Sequence, residues 1–189
     1  MIELQQIKRT DPRLLVNMQN HYSKPKGFVG RNICYAIMVN EAYFGGIVGG
    51  STPQHLPGRK DFAEAHIREP HGLTNIVNNL FYHVQKPYPF RNFVQRVIKE
   101  YRRKIELDWF LKYGDFVLAH ETLVEIPQEG DHARTGECYR RDGWINVATT
   151  QGYGCKRTRG ESTDSWTGRR VWETEDLRPK WVFMRKAGK

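Results

Sequence analysis

One apolar stripe constrains this chain more than any other feature. Val94, Val97, Ile98, Tyr101, Ile105 and Trp109 recur at three- and four-residue spacing, which places them on one face of a long helix. Asn92 stands where a capping side chain belongs, and Gly114 where a left-handed terminus belongs. A helix with one apolar face must cover something. Strand-like runs flank it: residues 75–84 (NIVNNLFYHV) before, and residues 116–124 (FVLAHETLV), apolar on both sides, after. Residues 32–39 (NICYAIMV) are also apolar on both faces, as expected of a central strand. Residues 43–50 (YFGGIVGG) read as a second strand, whose glycines mark a bulge or the close approach of a ligand.

The remaining segments complete an α+β order with one mixed sheet. Residues 2–8 alternate weakly, like an edge strand, and Asp11-Pro12 opens a short helix to about Asn20. Residues 51–73, with Pro53, Pro57, Gly58, Pro70 and Gly72, read as an irregular excursion. TGECYRRDG (135–143) reads as a short helix ending at Gly143, and WINVATT and YGCKR as a final hairpin. The expected division is a catalytic domain over residues 1–157 and a basic, Trp-containing extension, residues 158–189, packed on it.

Charge narrows the partners. Lys and Arg number 30 against 21 Asp and Glu, a net charge of +9, which favours a polyanion. Lys99, Arg102, Arg103 and Lys104 read as the solvated face of the long helix. Lys24, Lys26 and Arg31 in a loop, and Lys156, Arg157, Arg159, Arg169 and Arg170 in the tail, interleave with Tyr153, Trp166 and Trp172. Cations for phosphates beside rings for bases suit nucleic acid. Cys34, Cys138 and Cys155 form no CxxC pair, and the seven histidines show neither HxH nor HExxH spacing. A reduced, cytoplasmic setting without a metal site is therefore expected. No signal core or apolar span points to a membrane.

Tyr139-Arg140-Arg141-Asp142-Gly143-Trp144 resembles the Y-x-x-x-G-[FW] signature of the GNAT superfamily of N-acetyltransferases. That resemblance implies a mixed central sheet flanked by helices and acetyl-CoA, or another activated acyl or aminoacyl donor. It also implies that Tyr139 protonates the leaving thiolate. Where the superfamily cradles the donor's pyrophosphate with a glycine turn, this chain reads Tyr88-Pro89-Phe90-Arg91-Asn92. Phe90, Arg91 and Asn92, with Asn79 on the preceding strand, are the candidate donor contacts.

A second set of motifs recurs in one order: His21-Tyr22, Asn75 to Asn79, Asp108-Trp109, Tyr113-Gly114, Glu121-Thr122 with Val124, and Gly136, Tyr139 and Trp144. The set resembles the Mom-like phage DNA-modification proteins and the related Druantia-associated domain. It implies a phage-type transferase placing an acyl or aminoacyl group on the amine of a DNA base, adenine N6 or a hypermodified base, in a host cytoplasm. His21 and Tyr22 would border the acceptor and orient a flipped base. Glu121 shares a strand face with Val117, Ala119 and Leu123, where a carboxylate needs a partner or a task. It is the expected base; an ion pair with an arginine such as Arg91 or Arg31 is the alternative. The rival functions are an ordinary N-acetyltransferase for a protein or small amine, and a non-catalytic DNA-binding module.

Overall fold

The computed structural model describes residues 1–23, 25–127, 135–151, 153–156, 173–176 and 178–188. In chain order the elements are β1 (Ile2–Ile7), α1 (Pro12–Asn20), β2 (Asn32–Val39), β3 (Ala42–Ser51), α2 (Arg59–His66), β4 (Ile76–Val84), α3 (Phe93–Tyr113), β5 (Ala119–Glu125), α4 (Glu137–Arg141), β6 (Ile145–Thr149), β7 (Tyr153–Lys156), β8 (Glu173–Asp176) and β9 (Lys180–Lys186). Among the described residues, seven strands form one sheet in the order β1-β2-β3-β4-β5-β9-β6, and β7 pairs with β8. The sheet is mixed, as expected. Its strands pair antiparallel except β4 with β5, the pair that α3 connects.

Helices cover both faces. The expected stripe of α3, from Val97 to Trp109, packs with Phe93 against Tyr35, Ile37, Ile47 and Val77. On the other face α1 sets Leu14 and Met18 against Cys34, Val48 and Phe81. Asp11 starts α1 by accepting from the Arg13 amide at 2.9 Å, satisfying one of the helix's orphan donors. The glycines of β3 make room for these helices. A Cβ on Gly46 would lie 2.8 Å from Leu14 Cδ1, and one on Gly49 would lie 2.4 Å from Tyr101 Oη. The close approach expected there is made by side chains of α1 and α3. A bulge lies between Val48 and Gly49, opposite Leu80.

Five expectations are corrected. The excursion at 51–73 contains α2, whose Phe62 and Ala63, with Ile67, pack on Ile76, Ala119, Val182 and Met184. The final hairpin does not form, because β6 pairs with β9 and β7 with β8. A boundary at 157 does not fit, because β9 lies inside the sheet, paired with β5 along Ala119–Glu125. Asn92 makes no side-chain cap bond; it adopts a left-handed conformation at φ 61°. Arg102 is buried, donating to Asp142 from Nε at 2.5 Å and Nη2 at 3.0 Å. The Trp144 indole donates to the same carboxylate at 2.9 Å, so this pair ties α4 to α3.

A buried imidazole makes the scaffold acid-sensitive. His120 on β5 is fully buried, with Nε2 2.7 Å from Glu106 Oε1 on α3. Burial holds His120 below its ordinary 6.5, although Glu106 pulls the other way. Burial opposes ionisation of Glu106, but the His120 contact outweighs it, with help from the Gly188 amide and Arg102, and Glu106 sits below 4.5. Both depressed values mean that the unfolded chain takes up protons first as pH falls. Melting temperature is therefore expected to fall as pH drops through 6.5, and further below 4.5. His120→Gln should flatten the first of these slopes in melts taken from pH 7 downwards, and an unchanged slope would remove His120 as its source.

Candidate active site

The parallel ladder between β4 and β5 is short. It runs from Ile76↔Ala119 to Asn79↔Thr122 and stops. Beyond it β4 stays paired with β3, and β5 with β9. The two strands therefore part, and their facing backbone edges border a cleft of about 510 Å³. The cleft thus opens between the two segments read from the sequence as strands, 75–84 and 116–124.

The sequence-derived candidates divide at this cleft. His21, Tyr22, Asn79 and Tyr139 all line it, as do Asn78, Thr122 and Gly136. Asn79 is nearly buried, and neither its Nδ2 nor its Oδ1 has a partner; Asn78 Oδ1 is likewise unpartnered. Such groups are costly unless a ligand or water meets them. The Thr122 hydroxyl donates to the Asn79 carbonyl at 3.1 Å, closing the ladder.

Tyr139 enters from the α3 side. It packs with Ile98, Val124, Trp144 and Phe183, edge-on to Trp144 at 5.1 Å and stacked on Phe183 at 6.1 Å. Gly136 lets α4 begin so close: its φ is 67°, and a Cβ there would sit 2.7 Å from the Phe183 ring. Burial raises the Tyr139 phenol well above its ordinary 10.0, although a hydrogen bond with Thr122 opposes this. The Tyr139 phenol therefore keeps its proton near neutrality.

Glu121 lies elsewhere. It is wholly buried with Ala119 and Leu123 on the α2 side. Arg59 donates to it from Nε at 3.0 Å and Nη2 at 3.1 Å, and the Thr52 hydroxyl donates as well. The arginine alternative therefore holds, with a different arginine. Gly58 aims α2 at the pair: its φ is +74°, and a Cβ would meet the Val147 carbonyl at 2.7 Å. A carboxylate closed in by a bidentate guanidinium is not placed to take a proton from a substrate, which corrects its role as base.

Near the start of α3, Tyr88 and Val94 line the cleft. Phe90 packs edge-on against Phe93 at 5.3 Å, and Arg91 and Asn92 are exposed at the start of α3. Of the loop cations, Lys26 is exposed, and Arg31 pairs with Asp115 while its guanidinium lies 5.1 Å from the Tyr113 ring. Lys24, Arg157, Arg159, Arg169, Arg170, Trp166 and Trp172 lie outside the described residues, and so does the side chain of Lys156. Among the described residues there is no group of three or more His, Cys, Asp or Glu side chains suited to a metal. None of their helices is long and apolar enough to cross a membrane.

The sequence analysis missed His83, Tyr88 and Lys180, all of which line the cleft. His83 carried a legible signal, an imidazole on a strand that is otherwise mostly apolar.

No family model matches the chain, and no curated protein does. Solved structures do. An IAA acetyltransferase from Bacillus cereus aligns over 98% of this chain and 99% of its own, with TM-score 0.56 and 11% identity. A GNAT family acetyltransferase from Elizabethkingia anophelis with acetyl-CoA bound aligns over 98% and 97%, with TM-score 0.55 and 10% identity. A Bacillus subtilis acetyltransferase in complex with CoA aligns over 98% and 99%, with TM-score 0.58 and 10% identity. The fold is that of the GNAT acetyltransferases. Within the GNAT fold of this chain, several of the motif residues singled out above are scaffold. Trp109 donates to the Thr74 carbonyl at 3.2 Å, Tyr113 to the Asn32 carbonyl at 2.9 Å, and Asp108 accepts from Tyr35 at 2.8 Å.

Proposed function

We propose that this protein transfers an acyl group from a coenzyme A thioester to an amine in the β4/β5 cleft, and that the amine belongs to a DNA base. The observation that carries the acyl-transfer reading is the parting of β4 and β5 beyond Asn79 and Thr122, beside the phenol of Tyr139. Facing strand edges without a ladder suit an amide-bearing chain, which can complete the pairing they lack. The unpartnered Asn79 amide adds a donor and an acceptor. At the far end, the first amides of α3 and Arg91 suit a pyrophosphate. The residues present thus fit coenzyme A, which would supply an activated thioester carbonyl. Tyr139 holds a proton for the departing sulfur, and the apolar packing around it excludes water.

The DNA reading rests on the charge of +9, on the motif order shared with Mom-like proteins, and on the rings of His21, Tyr22 and Tyr88 at the cleft. A flat base extruded from the duplex stacks on such rings. Its phosphates would meet Lys24, Lys26 and the tail cations Arg157, Arg169 and Arg170. The test is mass spectrometry of nucleosides from DNA incubated with the protein and acetyl-CoA or an aminoacyl donor. A mass-shifted nucleoside is expected. Thiol release with small amines but unmodified DNA would favour the ordinary acetyltransferase, and DNA binding without thiol release the non-catalytic module. DNA affinity should fall with salt at a log–log slope of about −0.9 per phosphate contacted. A flat salt dependence would overturn the DNA reading.

A further inference from the structure

We propose that His83 is the base that takes the proton of the incoming amine, and that Asn17 and Tyr43 hold it in the one tautomer able to do so. The proposal deepens the acyl-transfer reading above and rests on it. His83 lines the cleft farther along β4 than Asn79, the residue at which the ladder to β5 ends. Its ring meets Asn17 of α1, whereas Tyr139 packs on the opposite, α3 face. Base and acid thus reach the cleft from opposite sides of the sheet, as an acceptor entering on one side and a thiol leaving on the other require.

The tautomer follows from a chain of hydrogen bonds. The Tyr43 hydroxyl donates to the Arg13 carbonyl at 3.2 Å. With its proton committed there, it accepts from Asn17 Nδ2 at 3.0 Å. Asn17 Nδ2 also faces the His83 carbonyl at 3.5 Å. The amide of Asn17, completely buried, is thereby oriented with Oδ1 towards His83 Nδ1. An amide oxygen only accepts, so Nδ1 carries the hydrogen and Nε2 keeps its lone pair. Burial lowers His83 from its ordinary 6.5 and raises Tyr43 above 10.0, so near neutrality the ring is uncharged and the phenol remains a donor. The other titratable groups at this ring are His21, 5.9 Å away, and its neighbour Tyr22. His21 has the opposite arrangement: its Nδ1 accepts from the Ser23 amide at 3.2 Å, so a neutral ring carries its hydrogen on Nε2.

The step balances. His83 Nε2 takes one proton from an ammonium acceptor, and the lone pair so freed forms the nitrogen–carbon bond; a neutral acceptor such as hydroxylamine already has that lone pair. The carbon–sulfur bond breaks, and the sulfur takes the Tyr139 proton. The second nitrogen proton passes through solvent to Tyr139, and His83 gives its proton to solvent, leaving an amide and a free thiol.

Two measurements test this on the full chain. Long-range proton–nitrogen spectra of histidine-labelled protein should show His83 as the Nδ1–H tautomer, with protonation displaced below its ordinary 6.5. Tyr43→Phe, which frees the Asn17 amide to turn, should mix the tautomers. Thiol release from acetyl-CoA is then compared with tyramine, an ammonium at neutral pH, and hydroxylamine, which is not. His83→Gln should slow the tyramine reaction about 10²–10⁴-fold and the hydroxylamine reaction far less, with an unchanged melt. An Nε2–H tautomer, or equal losses with both acceptors in a folded variant, overturns the proposal. Should the wild type release no thiol with either acceptor, the acyl-transfer reading fails, and the spectra still decide whether the ring is built as a base.

Discussion

Tyr139→Phe is expected to slow thiol release from acetyl-CoA about 10²–10⁴-fold, the usual worth of a positioned general acid. Its melt should stay close to wild type, because the packing against Trp144 and Phe183 belongs to the ring. The hydroxyl interacts with Thr122, a modest contact worth about 1 kcal/mol. DNA affinity should also hold, since the basic residues proposed for phosphates lie elsewhere in the chain. The sharper test varies the leaving group. With 4-nitrophenyl acetate, whose leaving group departs without a proton, mutant and wild type should converge. Equal losses with both donors would mean that Tyr139 shapes the cleft and gives no proton.

Glu121→Gln is expected to cost about 3–5 kcal/mol, the range for breaking a buried ion pair from one side. For a chain of this length that is roughly 6–20 °C of melting temperature. The cause is the partner left behind: the Arg59 guanidinium, 8% exposed, keeps its charge but loses its carboxylate. Replacing both groups with apolar residues, as in Arg59→Met with Glu121→Leu, should cost less than either change alone. Residual activity per folded molecule should remain. A Glu121→Gln protein that melts like wild type yet loses its chemistry would restore Glu121 as the base.

These two residues show what was legible in the sequence and what was not. Tyr139 was legible because its signature is local: a short helix, a glycine at φ 81° and an anchoring tryptophan stand side by side. The long helix was legible for the same reason, since periodicity is a local property. Glu121 was half legible. Its apolar neighbours announced that it needed a partner, but Arg59 stands on α2, a helix hidden among Pro and Gly residues. Nothing in spacing links the two, because tertiary folding alone brings them together. The position of β9 was illegible on the same grounds. KWVFMRK has a strand's composition, but strand order in a sheet is a non-local fact. Arg102 reads as a surface cation until Asp142 arrives beneath it.

The position of β9 also sets an order of assembly. β1, β2, β3 and β4 follow one another as antiparallel neighbours. β2 and β3 close through the turn at Asn40 and Glu41, while residues 8–31 and 52–75, carrying α1 and α2, connect β1 and β4 to them. This half therefore draws only on contacts among sequential elements and is expected to gather early. β5 can join only through α3, and its other edge waits for residues 180–186. Among the described residues β6 pairs with β9 alone, so the strand that follows α4 has no place to dock until residues 180–186 arrive. The half of the molecule carrying Tyr139 is therefore expected to become native last and to open first. In hydrogen exchange the amides of β5, β9 and β6 should open as one unit, at lower free energy than β2 and β3. A chain stalled before that step would hold the α1 side of its cleft, with His21 and His83 in place, and no Tyr139 opposite.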